Sequence, residues 1–237
     1  MTEPITEIQC IRIVEGVRTI EKERIATEVE LTLTINDQIE TQFSYSVGLA
    51  EQLVVGYLLS SGIIRSLNDI ERIDLDKGQC SVKISKEKEI KSEAAKLSSS
   101  ISFDRLLKAR ESLTNNQQNH KATRGFHGAI LMELSSGRWF SCEDIGRHNA
   151  VDKVIGYCFQ QGYSFSDSML LLTGRLTSNI VQKGIHAGIP IIASMTVATS
   201  DGIQKARENN RTLVGCLSDD GCWLYHEGAV KVNSDIQ

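Results

Sequence analysis

Between residues 127 and 226 the sequence alternates short apolar runs with stretches of helical period, a pattern few folds accommodate. The runs Ala129–Leu134, Trp139–Cys142, Met169–Thr173, Pro190–Ser194, Thr212–Cys216 and Trp223–Tyr225 predict strands. Asn149–Gln161, Ser178–Ala187 and Asp201–Asn209 predict helices, the first with Val151, Val154, Ile155, Cys158 and Phe159 on one face. Strands this short and apolar, interleaved with helices, bury their side chains in a sheet covered on both faces. The fold class is therefore α/β.

The first half reads differently. Glu28–Ile35 sets Val29, Leu31, Leu33 and Ile35 against polar partners; Asn36-Asp37 supplies a turn, and Ile39, Thr41, Phe43 and Tyr45 resume the alternation. A hairpin is expected there. Leu49–Ser60 switches to helical spacing, and Gly62 is placed to end that helix in a left-handed conformation. Residues 83–100 alternate Lys with Glu and close on Ser98, Ser99 and Ser100, which reads as a solvated connection. The expected division is an amino-terminal α+β domain of strands plus one helix over residues 1–100, and an α/β domain over 101–237. In the second, Ser102 is placed to cap a helix through Phe103, Leu106, Leu107 and Leu113, whose polar tail Asn115–Asn119 is expected to end in a loop.

A formal net charge of -4 argues against a nucleic-acid partner held by a broad basic surface. Residues 1–10 carry acids and no apolar core, so no secretory signal is expected, and no apolar run approaches bilayer length. The expected location is the cytoplasm, with no membrane partner. The six cysteines then read as free thiols, and the absence of any Cys-x-x-Cys removes the usual thiol-redox and zinc-ribbon readings.

The chemistry concentrates at three strand-to-helix junctions. Cys142–Asn149 contains Glu143, Asp144, Gly146, Arg147 and His148; Thr173–Ser178 contains Gly174 and Arg175; Ser194–Asp201 offers Ser194, Thr196, Thr199 and Ser200. In open α/β sheets such junctions gather at the carboxyl ends of the strands, where helix amino ends present free N–H groups. With Arg147, Lys153, Arg175 and Lys183 nearby, the pocket suits a phosphate or pyrophosphate. The hydroxyls of Thr177, Ser178, Thr199 and Ser200 taken alone read as helix caps, and Asp152 with Lys153 alone would read as a solvated ion pair. His127 precedes Ala129, where a zinc deaminase would place its glutamate, and no paired cysteines follow, so no metal site is expected. His120, His186 and His226 read as surface or packing histidines.

Several segments together resemble the formate dehydrogenase accessory proteins of the FdhD family. Glu143–Lys153 matches that family's Glu-Asp-x-Gly-Arg-His-Asn-Ala-x-Asp-Lys throughout; Thr123–Ala129 is similar to its Thr-Gly-Gly-x-His-x-Ala, with Arg124 in place of a glycine. Gly174–Ser178 and Val55–Ile64 are similar to two further family segments. The resemblance implies a cytidine-deaminase-like α/β domain beside a smaller amino-terminal domain, assembled as a homodimer. It implies sulfur taken from a cysteine desulfurase as a persulfide and passed to molybdenum-bis(molybdopterin guanine dinucleotide), with formate dehydrogenase as client. Cofactor contacts carried over are His127, Glu143, Asp144, Arg147, His148, Asn149, Asp152, Lys153, Gly174, Arg175, Ser178 and Lys183. The segment Cys216, Leu217, Ser218, Asp219, Asp220 and Gly221 falls where the family holds the guanine nucleotide, for which GDP is the simplest fragment.

The sequence also departs from the family. The family's sulfur-carrying Cys-x-x-Cys loop corresponds to Lys86–Ser102, which contains no cysteine, and Cys216–Gly221 lacks two arginines and adds two acids. A persulfide needs a thiolate sulfur, which serine or lysine cannot supply. The expectation is an accessory protein that binds the cofactor without carrying sulfur. The alternatives are an active sulfurtransferase using Cys142 as a relocated catalytic cysteine, or a guanine-nucleotide-binding module with another client.

Overall fold

The computed structural model describes residues 3–85 and 100–233. It opens with a hairpin of β1 (Ile5–Val14) and β2 (Val17–Ala26), whose side chains are mostly exposed on both faces. The expected second hairpin follows as β3 (Glu28–Ile35) and β4 (Gln38–Ser46), with Asn36 and Asp37 at φ 47° and 67° in the turn. Helix α1 (Ala50–Ser60) buries Leu53, Val54 and Leu58, and Gly62 ends it at φ 74°. β5 (Ile70–Asp76) and β6 (Gln79–Ile84) complete a four-stranded sheet of order β4-β3-β6-β5.

The second part contains β7 (Ser100–Ser102), α2 (Phe103–Asn116), α3 (Gln118–Thr123), β8 (His127–Glu133), β9 (Trp139–Asp144), α4 (Arg147–Gln160), β10 (Ser168–Leu172) and α5 (Ser178–His186). It closes with β11 (Ile191–Ser194), α6 (Ser200–Glu208), β12 (Thr212–Ser218), β13 (Gly221–His226) and β14 (Lys231–Asn233). Six of these strands form a sheet of order β13-β12-β11-β10-β8-β9. β9, β10, β11 and β12 share one direction, while β8 and β13 run against them. Alternate residues sort the faces: Ala129, Leu131, Leu170 and Leu172 pack in the core with α4 and α5, whereas Ile130, Met132, Met169 and Leu171 pack with Leu106, Ala109 and Leu113 of α2.

Several expectations change against this architecture. β1, β2, β5 and β6 had no strand signal, because outward-facing charges interrupt the alternation and the backbone ladders carry the pairing. The polar tail expected to end in a loop at Asn115–Asn119 breaks only at Gln117 and continues as α3, and Ser102 sits at the α2 amino end without a capping side-chain bond among the described residues. The connection expected at 83–100, and with it the domain boundary, falls largely on residues 86–99, which lie outside the described residues. No helix among the described residues is long and apolar enough to cross a membrane.

The two sheets are joined through helices. Leu31, Leu33 and Val82 of the first sheet share one core with α1, α4 and the second sheet. Where α1 crosses α4, two glycines let the backbones touch: a Cβ on Gly56 would lie 1.8 Å from the Asp152 carbonyl oxygen, and one on Gly156 1.9 Å from that of Gln52. No side chain yields at such a contact, so the helices themselves must separate. Gly56→Ala should therefore cost about 3 kcal/mol or more in urea unfolding. Gly162→Ala, at an open position with φ 68°, should cost about 1 kcal/mol from the left-handed backbone alone. Equal losses at the two positions would remove the close crossing.

Candidate functional site

The carboxyl ends of β9, β10, β11 and β12 lie at one edge of the sheet, and α4, α5 and α6 begin there. The charged run that enters α4 divides between holding this edge together and facing out of it. Asp144 is fully buried, with Lys153 Nζ 2.6 Å from Oδ2; the lysine side chain is 1% exposed. Ser46 at the end of β4 donates its N–H (3.1 Å) and its hydroxyl (3.0 Å) to the same carboxylate. Gly146 N–H and Asn149 Nδ2 donate to Asp144 Oδ1 at 2.9 and 3.0 Å, and Asn149 also reaches Ser44 O. Lys153 completes its donors on Ser46 O at 2.8 Å.

Asp152 is equally enclosed. Both its oxygens accept from Lys183 at 2.8 Å, and Ser60 Oγ donates at 2.6 Å. Burial pushes this carboxyl above the usual range, and Lys183 opposes the shift. Glu143 accepts the N–H groups of Asn119 and His120 at 2.8 and 2.7 Å, which caps α3 from another element. The anion contact expected of Lys153 is thereby corrected: its amine is spent inside the protein on Asp144 and Ser46. Asp144, Asp152 and Glu143 are likewise occupied by internal donors.

Arg147 and His148 remain. The Arg147 stem lies against Gly174, where a Cβ would come within 3.0 Å of its Cβ and Cδ. Arg147 Nε and His148 Nε2 are buried with no hydrogen-bond partner among the described residues. Buried polar atoms of that kind usually meet a ligand, an ion or ordered water. Burial, then Arg147 and Lys183, bring the His148 imidazole down to about 4. His148 and Asn149 line a cleft of about 340 Å³ with Phe43, Tyr57, Asp152 and Lys183, on the side of the amino-terminal sheet.

His127 belongs to another cleft, of about 500 Å³, lined by Gln117, His120, Arg124, Phe126, Thr173, Met195 and Thr196. Its Nδ1 lies 3.5 Å from Thr173 Oγ1, and burial followed by the charges of Arg147 and His120 lowers its pKa. Arg175 is exposed after Gly174. Thr177 precedes α5 but its hydroxyl makes no capping bond and is buried without a partner among the described residues, whereas Thr199 caps α6 by accepting from Gly202 N–H at 3.2 Å. Ser178 opens α5. His120, Arg124 and Thr173 were absent from the expected contacts. Arg124 lay within the quoted Thr123–Ala129 segment, while His120 shows its position only once α3 is folded.

The segment Cys216–Gly221 has a structural account. Leu217 is buried in the core on the α2 side, Asp219 pairs with Arg110, and Ser218 and Gly221 close the β12–β13 turn around Asp219 and Asp220. Cys216 alone touches the site's edge: its N–H bonds Thr196 O at 2.8 Å and its Sγ lies 3.8 Å from the Tyr225 hydroxyl. Leu217, enclosed in that core, has no face left for a nucleotide, while Asp219 is exposed at the turn. Among the described residues no three His, Cys, Asp or Glu side chains converge to hold a metal.

Comparison with known proteins agrees with the motifs. The family model described as FdhD/NarQ matches residues 26–101 and 86–230. The chain belongs to the FdhD/NarQ family. Protein FdhD of Methanocaldococcus jannaschii is 32% identical over 205 residues, covering 86% of this chain and 88% of the relative. The sulfur carrier protein FdhD of Listeria monocytogenes serotype 4b is 31% identical over 232 residues, covering 85% and 88%. A crystal structure described as a candidate formate dehydrogenase accessory protein from Desulfotalea psychrophila superposes with a TM-score of 0.82 at 28% identity, covering 94% of this chain and 97% of that one.

Cys142, the relocated catalytic cysteine considered from the sequence, lies in β9 just before the charged run. Its Sγ donates to Ala150 O at 3.4 Å, and burial pushes the thiol up to about 12. At pH 8 the thiolate is then on the order of one part in ten thousand. Alkylation with iodoacetamide at pH 8, mapped by mass spectrometry, should leave Cys142 unmodified in the native protein and label it in urea. Native labelling would return Cys142 to the position of a reactive thiol.

Proposed function

We propose that this chain is a formate dehydrogenase accessory protein that holds molybdenum-bis(molybdopterin guanine dinucleotide), or its guanine-nucleotide portion, by the pyrophosphate at the carboxyl ends of β10 and β11. The observation that carries the reading is Arg147: its stem is seated on Gly174 and its buried Nε lacks a partner among the described residues, at an edge where three helix amino ends converge. The donor set fits such a ligand. Guanidinium groups and helix N–H groups are suited to phosphate oxygens, and the hydroxyls of Thr173 and Thr196 are suited to its bridging atoms and sugar. We read the six-stranded part as cytidine-deaminase-like, with β8 and β9 placing His127 and Arg147 at its rim, and the assembly as a pair of such chains.

The names of the relatives point to sulfur carriage and to formate dehydrogenase. In this chain no cysteine lies between Cys80 and Cys142, so the loop that would receive sulfur from a cysteine desulfurase has none. The role that remains is binding and presentation. Arg147 and Arg175 would fix the charged portion, while His127, held neutral by its surroundings, would offer hydrogen bonds without adding charge.

Calorimetric titration with GDP tests this. Wild type should bind at micromolar Kd, and Arg147→Ala and Arg175→Ala should each weaken binding about 10-fold or more, the value of a charge-assisted hydrogen bond. Absence of binding by wild type, or equal affinity in all three proteins, would overturn the assignment.

A further inference from the structure

The cleft around His127 has an outer wall at the end of α3. α3 ends at Thr123, and Arg124 follows as its C-cap at φ 58°, with its N–H bonding His120 O at 2.7 Å. Left-handed backbone favours glycine, because every other L side chain is strained there. Yet the position holds the largest cation available. Its side chain is exposed, lines the cleft beside His120, His127, Thr173 and Thr196, and makes no ion pair or side-chain hydrogen bond among the described residues. Arg110 pairs with Asp219 and Arg138 donates to Gln161 O and lies over the Tyr163 ring, so neither is free to turn toward this cleft. The strand-end turn nearby brings no cation to the cleft, since Ser218–Gly221 carries only Asp219 and Asp220 as charges.

We propose that Arg124 is a specificity residue that makes the cleft select ligands ending in phosphate or pyrophosphate, gripping the anion from the outer wall above His127 and Thr173. This rests on the cofactor-binding reading above. Backbone that would be more stable with glycine is retained because the guanidinium is needed at that place, a trade of stability for binding. The simpler alternative is that Arg124 merely complements the carboxyl end of α3.

The two roles separate in one comparison of wild type, Arg124→Gly and Arg124→Lys, using GDP, inorganic pyrophosphate and uncharged guanosine as calorimetric probes. Arg124→Gly should fold and melt about 2–4 °C higher, because the strain is relieved. It should bind GDP and pyrophosphate about 10-fold or more weakly, with guanosine unchanged, and Arg124→Lys should recover part of the loss. If wild type binds GDP and Arg124→Gly binds it equally, the role of Arg124 is overturned while the cofactor reading stands. Equal weakening toward GDP and guanosine would also overturn it, as an effect on cleft shape. If wild type binds neither GDP nor pyrophosphate, both readings fall.

Discussion

The buried pair of Asp144 and Lys153 is the contact on which the rest of the structure depends. Removing two charges from water is expensive, and their attraction offsets that cost only when the remaining lone pairs and protons are satisfied. Here they are. Asp144 accepts from Ser46, Gly146, Asn149 and Lys153, and Lys153 also donates to the Ser46 carbonyl and sits 5.2 Å from the centroid of the Tyr45 ring. The partners come from both halves of the chain, with Ser46 ending a strand of the first sheet and Gly146 preceding the first turn of α4. One network therefore docks the amino-terminal sheet and fixes the direction in which Arg147 and His148 leave the helix.

That arrangement changes how the charged motif is understood. A dense run of titratable groups suggests a ligand site, but most of these groups serve one another: Asp144 with Lys153, Asp152 with Lys183 and Ser60, Glu143 with the amino end of α3. The side chains left over face two different clefts, His148 toward the amino-terminal sheet and His127 toward α3. Arg147 is the link, since its charge bears on both imidazoles and its stem crosses Gly174.

Much of this was legible in the sequence, for definite reasons. The central strands β8, β10, β11 and β12 announce themselves because both faces are buried, so their apolar runs are nearly uninterrupted. The β3–β4 hairpin was legible through alternation and Asn36-Asp37. The β1–β2 hairpin was not, because its sides carry Glu, Lys and Arg beside exposed isoleucines and little of it reaches a core. Helix α3 was hidden for a different reason. Its polar sequence has no apolar face, and its amino end is satisfied by Glu143, some two dozen residues away. Spacing located the charged junctions but could not tell which charges neutralise one another. That depends on β4 meeting α4, a long-range contact with no periodic signature. The burial that raises the Cys142 thiol was invisible for the same reason.

Asp144 and Lys153 spend their charges on each other and on Ser46. Urea unfolding of wild type, Asp144→Asn, Lys153→Met and the double variant measures this directly. Each single change should cost about 3–5 kcal/mol, because it strands the other buried group, and the double should cost clearly less than the sum. Single losses below about 1 kcal/mol that simply add would mean the pair is loosely held and free to meet a ligand, contradicting the account.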